Sequence, residues 1–369
     1  MGNTPYILMV AAVLLFGAIL PQKGPQRKYY ILLMTVLHTC LCGFRWQWLT
    51  GDLHKYYWNY FNCGSYPWFS PELWAGGRNF GFYYFNKIIY TLFGDEQQAL
   101  LFCIALIVHV ALAIVVYRYS PAPWFSYLIW NCMGFYIFGF SAIKQALAMA
   151  FVMLSFIGIE QKRLGLFVSM MAIAGSIHMP ALIFLPTYWL AKLRLNSRTM
   201  MLYIIIGIAV FVFKDQFVMF IRSFYYEDDE LIAFGEIGSR FIMVLGFCLF
   251  GLLFRGFQDP VMESLFPIMA VAAALQLLSG YDHIFTRLTD YYFQMSVLYI
   301  PMTFFSGENA RQNPNGMNRI FPFNKRSLVL MGAVVALFAV WFYWTYSINI
   351  TISYEVDNYL NYRSMWDVK

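Results

Sequence analysis

The chain has 369 residues, of which 60% are hydrophobic and only 12% are charged, with a formal net charge of +6. Water-soluble domains contain about 45–50% apolar and about 25% charged residues, so this composition excludes an ordinary soluble protein. It predicts an all-α protein that crosses a membrane several times. Aromatic residues make up 20% of the chain, which fits a large area at the membrane–water interface. The six cysteines show neither a disulfide framework nor a zinc spacing, and we expect no nucleic-acid partner.

Apolar runs bounded by charged residues, Pro or Gly follow one another along the whole chain. The first run lacks a basic segment before it and a small-residue cleavage pattern before Pro21, so it predicts a span and not a removed signal peptide. The predicted spans are 4–20, 29–43, 97–117, 122–140, 142–159, 164–177, 179–191, 199–214, 240–256, 261–279, 289–305 and 327–348. They predict about 10–12 transmembrane helices, some of them short or re-entrant.

Basic residues cluster in alternate connections between these runs. Because cytoplasmic connections are enriched in Lys and Arg, the clusters predict one cytoplasmic side, with both termini outside and 164–191 going out and returning. The whole chain, 1–369, is then one membrane domain with long outer loops at 44–96 and 215–239 and a cytoplasmic loop at 306–326. The clusters are Lys23/Arg27/Lys28, Arg118, Lys162/Arg163, Lys192/Arg194/Arg198, Arg255 and Arg311/Arg319/Lys325/Arg326.

A second group of cations lies at the predicted outer ends of the spans. Lys144 begins an apolar run that contains no acid within reach, and Arg45, Arg240, Arg287 and His178 lie at the ends of other runs. Singly, each base could reach the headgroups or pair with an acid, and His178 could cap a turn between two short helices. Their shared side of the membrane favours a common role.

Guanidinium, ammonium and imidazole groups together suit a dianionic headgroup on a lipid. Arg binds phosphate oxygens through two parallel hydrogen bonds, and Lys contributes a compact charge. A polyprenyl pyrophosphate is such a headgroup. If it carries a sugar, its neutralisation also improves it as a leaving group, because negative charge grows on it as the glycosidic C1–O bond breaks. This chemistry needs no metal ion and no cofactor.

Four segments of the chain resemble the EpsG family of exopolysaccharide and O-antigen polymerases, which are Wzy-like proteins. GFRWQWLTGDLHKYY resembles the family's segment after the second span, and FSAIKQALAMAF resembles its S-x-x-R-Q-x-x-A helix start. AGSIHMPALIFLP resembles its A-x-x-x-H-x-S-A-L pattern, and GFYYFNKIIYTLFG its segment before the third span. Three departures occur: Lys144 stands for the usual Arg, Pro180 for Ser, and Asn79 in Asn-Phe-Gly-Phe for a Glu.

The resemblance implies a fold like that of the GT-C glycosyltransferases and a polymerase of lipid-linked repeat units. One undecaprenyl-pyrophosphate-linked chain donates its reducing end to a hydroxyl at the non-reducing end of a second unit. Arg45, Lys144, Arg240 and Arg287 are the expected pyrophosphate-binding residues, and His178 is the first choice of base because its ordinary pKa is near neutrality. The expected location is the outer face of a bacterial cytoplasmic membrane.

Polar neighbours of these cations are the expected substrate-binding residues. An alternative interpretation of Asp52, His54 and Lys55 is a solvated loop face, and Asp282 or Asp290 could simply pair with Arg287. The base also stays open among Asp52, Asp282 and His283, and whether a chain-length regulator binds is open too. The expected substrate-binding residues are Asp52, His54, Gln145, Tyr281, Asp282 and His283.

Two other functions fit parts of the same pattern. A flippase or transporter of lipid-linked glycans would place ionisable residues near the middle of the bilayer and would show repeated halves. Here the charges lie at one end of the spans, and the sequence shows no internal repeat. The other alternative is a ligase or an acyltransferase acting on cell-surface glycans, and the ligase would share nearly all of the polymerase chemistry.

Overall fold

The fold consists of α-helices joined by short turns. A computed structural model describes residues 4–46, 51–75, 79–193, 196–222, 238–255, 260–282, 284–305 and 325–343, and no strand occurs within these ranges. The all-α fold predicted from composition is therefore confirmed. The α-helices are α1 (Thr4–Ile19), α2 (Arg27–Gly43), α3 (Gly51–Ser65), α4 (Pro71–Ala75), α5 (Phe80–Phe93), α6 (Gln97–Tyr119), α7 (Pro123–Cys132), α8 (Phe135–Phe138), α9 (Ile143–Glu160), α10 (Leu164–Ile177), α11 (Thr187–Leu190), α12 (Ser197–Val212), α13 (Lys214–Arg222), α14 (Ser239–Arg255), α15 (Pro260–Leu277), α16 (Ile284–Phe293), α17 (Ser296–Phe305) and α18 (Lys325–Tyr343). Short 3₁₀-helices cover Met179–Phe184 and Leu278–Gly280.

Several helices are apolar enough to lie in a membrane. Among the described helices, three are also long enough to cross it: α6, α9 and the continuous segment Pro260–Gly280. The segments Met201–Ala209 and Lys214–Phe220 make a fourth span if they are counted together, with a bend of 73° between them. Shorter apolar helices, including α1, α10 and α17, complete a polytopic membrane protein.

Two predicted spans are broken in the structure. The run 122–140 divides into α7 and α8, with Gly134 between them at φ +85°, a conformation that glycine adopts without steric cost. The run 289–305 divides into α16, which already begins at Ile284, and α17. Each run is apolar overall, so hydropathy alone does not reveal the two breaks.

The predicted outer loop 44–96 is largely helical. It folds into α3, α4 and α5, and α3 buries Leu53, Tyr60 and Cys63 along one face. The Tyr60 hydroxyl donates a hydrogen bond to the Gly94 carbonyl at 2.6 Å. The predicted loops 215–239 and 306–326 lie mostly outside the described residues.

Contacts among α2, α6 and α9 place the two groups of cations at opposite ends of these helices. At one end, Arg27 donates to the carbonyl of Ser120 at 3.1 Å, directly after α6, and Tyr119 packs on Phe156 of α9 with ring centroids 5.4 Å apart. At the other end, Arg45 follows α2 and donates to the Gly139 carbonyl at 3.3 Å, close to the start of α9. We call these the Arg27 end and the Lys144 end.

The chain reverses direction at His178, as the charge pattern requires. After α10 ends at Ile177, the following segment returns far enough for Tyr188 to pack on Phe167, with ring centroids 5.1 Å apart. His178 therefore lies at the tip of this pair of short helical segments.

The close contact of α9 and α10 depends on Gly158. A Cβ atom at this position would lie 2.6 Å from the backbone nitrogen of Phe167. We therefore expect Gly158→Ala to destabilise the protein by about 1–3 kcal/mol, through overpacking against backbone that cannot move aside. The measurement is thermal unfolding of the purified protein in detergent.

Gly165→Ala is the matched control, because no atom lies within 4 Å of a Cβ there. Alanine has a higher helix propensity than glycine, so this control should be neutral or stabilising by up to about 1 kcal/mol. Equal melting temperatures for the two variants would contradict the packing account.

Candidate active site

Three ionisable side chains from distant parts of the sequence meet at the Lys144 end. Lys144 lies in the first turn of α9, Arg287 lies in α16, and His178 lies between α10 and the following 3₁₀-helix. Lys144 and Arg287 interact electrostatically with each other, and both interact with His178. We call these three residues the cationic cluster. The structure thus brings together three of the five predicted catalytic residues.

Gln145 holds one member of the cationic cluster in place. Its side chain is 4% exposed, and its amide nitrogen donates to the backbone carbonyl of Arg287 at 2.8 Å. This bond connects the first turn of α9 with α16, the two helices that carry Lys144 and Arg287. The substrate-binding role that the sequence predicts for Gln145 stays a prediction.

His178 is oriented by a tyrosine. Its side chain makes no capping hydrogen bond at the 3₁₀-helix, so the turn-capping alternative does not describe it. Instead, its Nδ1 atom makes a hydrogen bond with the hydroxyl of Tyr291, a buried residue of α16. Burial and the positive charges of Lys144 and Arg287 lower the pKa of His178 from its ordinary value to about 3. The imidazole is therefore neutral at physiological pH.

Arg240 forms an ion pair with Asp290, which connects α14 with α16. The two side chains are 24% and 8% exposed, and the Arg240 guanidinium also lies 5.8 Å from the Phe293 ring centroid. Asp290 interacts electrostatically with Arg287 as well, but its direct partner is Arg240. The carboxylate thus largely balances the charge of Arg240, while Arg287 stays exposed beside Lys144.

Arg45 lies inside the protein and not on the surface of the cationic cluster. Its side chain is 1% exposed, and its guanidinium donates to the backbone carbonyls of Cys42 and Gly139 and lies 5.2 Å from the Phe140 ring centroid. These contacts hold the turn that precedes α9. In this position Arg45 supports the turn before the helix that carries Lys144, and its role as a pyrophosphate-binding residue stays a prediction.

The remaining predicted residues lie around the cluster or away from it. Tyr281 is 7% exposed, and the Asp282 carboxylate accepts the backbone N–H of Ile284 at 2.9 Å, which begins α16. His54 is on the exposed face of α3. His283 lies outside the described residues, and so does the side chain of Asp52, although its backbone belongs to α3.

A buried polar group next to Arg45 was not identified from the sequence. His38 of α2 is fully buried, with its Nδ1 atom 2.8 Å from the Met34 carbonyl and its Nε2 atom 2.9 Å from the Asn131 side-chain nitrogen. The His109 ring lies 5.6 Å from the His38 ring. Single ionisable residues within apolar runs are rare and usually functional, and that signal could have directed attention to both histidines.

The comparisons with known proteins decide the family. The EpsG family matches residues 28–364, which is nearly the whole chain and includes all four segments that carry the resemblance.

The chain belongs to the EpsG family.

No curated protein and no solved structure matches the chain. Membership of the EpsG family indicates a role like that of an exopolysaccharide polymerase, which is a glycosyltransferase-like activity. The cationic cluster lies within the matched region and joins two of the motif segments, FSAIKQALAMAF and AGSIHMPALIFLP, with α16.

The Arg240–Asp290 pair provides a stability test of this EpsG-family site. Asp290→Asn leaves the Arg240 charge without its partner, so we expect a loss of about 2 kcal/mol in unfolding free energy. This is below the 3–5 kcal/mol of a fully buried pair because Arg240 is partly exposed. A double-mutant cycle with Arg240→Gln, measured by thermal unfolding, gives the coupling energy.

Asp215→Asn is the control, since Asp215 and Lys214 form an exposed pair at 3.9 Å and such pairs contribute less than about 1 kcal/mol. Purely additive effects of the Arg240 and Asp290 substitutions would show that the pair contributes nothing.

Proposed function

We propose that this EpsG-family protein is a polymerase of lipid-linked oligosaccharide repeat units. Its donor is a glycan on undecaprenyl pyrophosphate, and its acceptor is the non-reducing end of a second lipid-linked unit. The observation that carries the proposal is the juxtaposition of Lys144, Arg287 and His178 at one end of the apolar helices. The product is an exopolysaccharide, a capsule or an O-antigen.

The electrostatics of the cationic cluster favour a dianionic ligand. Two unit positive charges held close together repel each other, more strongly in a partly buried site than in water. Among the described residues, no carboxylate forms an ion pair with Lys144, and Asp290 is already paired with Arg240. A pyrophosphate between Lys144 and Arg287 would be attracted by both cations and would offset their mutual repulsion. The cationic cluster therefore favours a ligand with two negative charges.

The proposed reaction is a single displacement at the anomeric carbon. The acceptor hydroxyl oxygen forms a bond to C1 of the donor sugar while the bond from C1 to the pyrophosphate oxygen breaks. Lys144 and Arg287 stabilise the negative charge that grows on the departing undecaprenyl pyrophosphate. The hydroxyl proton passes to His178.

Tyr291 gives His178 the geometry that this proton transfer needs. When the Nδ1–H of His178 donates to the Tyr291 oxygen, the lone pair of Nε2 is available to accept the proton. A bound pyrophosphate favours the protonated imidazole and raises the low pKa of His178 towards neutrality. The base thus becomes effective when the donor is in place.

The basic residues at the Arg27 end indicate which side of the membrane the site faces. Lys23, Arg27 and Arg118 belong to the Arg27 end, and cytoplasmic connections are the ones enriched in such residues. The Lys144 end then faces the periplasm or the cell exterior of a bacterial cytoplasmic membrane.

Charge is the first property to test. We expect Lys144→Ala to lower the rate of polymerisation at least about a hundredfold, because it removes an electrostatic donor to the leaving group. Lys144→Arg should keep part of the activity, since the site requires a cation more than an ammonium group. The measurement is polymer formation by the purified protein from lipid-linked repeat units.

Lys28→Ala is the control, because Lys28 is an exposed cation next to Arg27, at the opposite end of the helices. Lys144→Ala with a rate within a few-fold of the parent would remove Lys144 from the site.

Deletion of the gene in cells distinguishes a polymerase from a ligase. Single-repeat products indicate loss of a polymerase, whereas lipid-linked polymer without surface glycan indicates loss of a ligase.

The pH dependence of the reaction tests the role of His178. A base accepts a proton only when neutral, so the rate should fall as the pH drops through its pKa. In the free enzyme the pKa of His178 is about 3, so the acid limb of the kcat/KM profile, where the rate falls, should lie near pH 3. The limb in kcat should lie at a higher pH, because bound pyrophosphate raises the pKa. His178→Gln should abolish the limb in kcat; its persistence would exclude His178 as the base.

A further inference from the structure

An exposed group of aromatic side chains lies on α4, α5 and the turn before them. Trp74 stacks on Phe80 with ring centroids 5.3 Å apart and packs edge-on against Tyr84 at 5.4 Å. The Tyr84 hydroxyl donates to the Trp68 carbonyl at 3.1 Å, which joins the turn to α5. Phe69 is 89% exposed and Trp74 is 55% exposed. We call these five residues the aromatic surface.

The composition of this surface differs from that of an apolar helix such as α1. The large hydrophobic residues that α1 exposes are all aliphatic, and they include Leu8 and Leu15. The exposed acid Glu72 lies next to the aromatic surface, between Phe69 and Trp74 in the sequence. Its own backbone N–H lowers the pKa of Glu72, so the carboxyl group is ionised at neutral pH. A carboxylate is costly in hydrocarbon and is repelled by anionic headgroups.

The aromatic surface lies beside the end of α10 that leads to the cationic cluster. Phe80 is followed by Gly81, where an added Cβ would lie 2.8 Å from the backbone carbonyl carbon of Ser176. The two backbones are therefore in close contact, and Ser176 is two residues before His178. The start of α5, which carries Phe80, thus lies next to the chain segment that contains the residue we assign as the base.

We propose that the aromatic surface binds the sugar rings of the lipid-linked glycan next to the reaction site. A pyranose ring has an apolar C–H face that packs on an aromatic ring and a rim of hydroxyl groups. The Glu72 carboxylate can accept hydrogen bonds from such hydroxyl groups, while the indole of Trp74 offers both a flat face and an N–H donor. This inference rests on the proposed function, since it assigns a binding surface to the same reaction.

Glycan binding at this surface has a consequence for the product. A chain held beside His178 is present there at a high effective concentration, so its next elongation precedes its escape. The aromatic surface should therefore favour long polymers. A surface that only contacts the membrane interface would not affect polymer length.

The test compares the variant Phe69→Ala/Trp74→Ala with the parent protein. We expect roughly tenfold weaker binding of the free glycan, released from its lipid, which corresponds to about 1.4 kcal/mol. We also expect a shift of the product ladder from long chains to short ones. The single variant Trp74→Phe keeps Phe69 and an aromatic ring at position 74. It should therefore retain most of the glycan affinity and most of the polymer length of the parent.

Trp189→Ala is the matched control, because Trp189 is 59% exposed on α11, in the segment that leads away from the Lys144 end. Its ladder should match that of the parent. Hydrogen exchange of residues 68–84 in the parent protein, with and without free glycan, gives a readout that does not depend on how a variant folds. Protection of this segment is the expected result.

Two outcomes separate the inference from the proposed function. If the parent protein forms no polymer from lipid-linked repeat units, the proposed function fails. If the parent forms polymer but the double variant gives the same ladder and affinity, and the glycan protects no residue in 68–84, the glycan-binding inference is overturned. The aromatic surface is then a contact with the membrane interface.

Discussion

The fold holds two positive charges, those of Lys144 and Arg287, close together, and the rest of the proposed site is arranged around them. Lys144 and Arg287 come from helices far apart in the sequence, and the hydrogen bond from Gln145 to the Arg287 carbonyl keeps these helices in register. Unbalanced charges are expensive in a protein in which only 12% of the residues are charged. In the proposed function this cost is offset when a dianionic ligand occupies the site, because the repulsion between the two cations is replaced by attraction to the ligand.

Other residues position Lys144, Arg287 and His178 through ion pairs and hydrogen bonds. The Asp290 carboxylate balances Arg240 and lies near Arg287, while the adjacent Tyr291 orients His178. One short helix, α16, therefore carries Arg287, the acid Asp290 and the tyrosine that contacts His178. Arg45 supports the turn before α9 from inside the protein.

The sequence was sufficient for the overall class and for the family. Hydropathy predicts the apolar helices, basic clusters predict the two ends, and four motif segments predict the EpsG family. The position of Lys144 in an apolar helix predicts a site there, and the structure places Arg287 and His178 close to it. These properties are visible in the sequence because they depend on local composition and on spacing along one helix.

Properties that depend on contacts between helices could not be predicted in the same way. Nothing in the sequence around Arg45 shows that its guanidinium turns inward to the Gly139 carbonyl, or that Asp290 pairs with Arg240 and not with Arg287. The break at Gly134 lies within a run that is apolar overall. In each case the deciding partner is distant in the sequence or is a backbone group, which hydropathy and charge patterns do not register.

The most direct test of the central claim is an experimental structure of the protein in nanodiscs with undecaprenyl pyrophosphate. We predict that the pyrophosphate lies between Lys144 and Arg287, with phosphate oxygens about 3 Å from the Lys144 ammonium and the Arg287 guanidinium. The terminal phosphate, which carries the sugar in the donor, should lie nearer to His178 than the phosphate that is esterified to the lipid. A pyrophosphate bound at the Arg27 end, with Lys144 and Arg287 making no contact with it, would contradict this account.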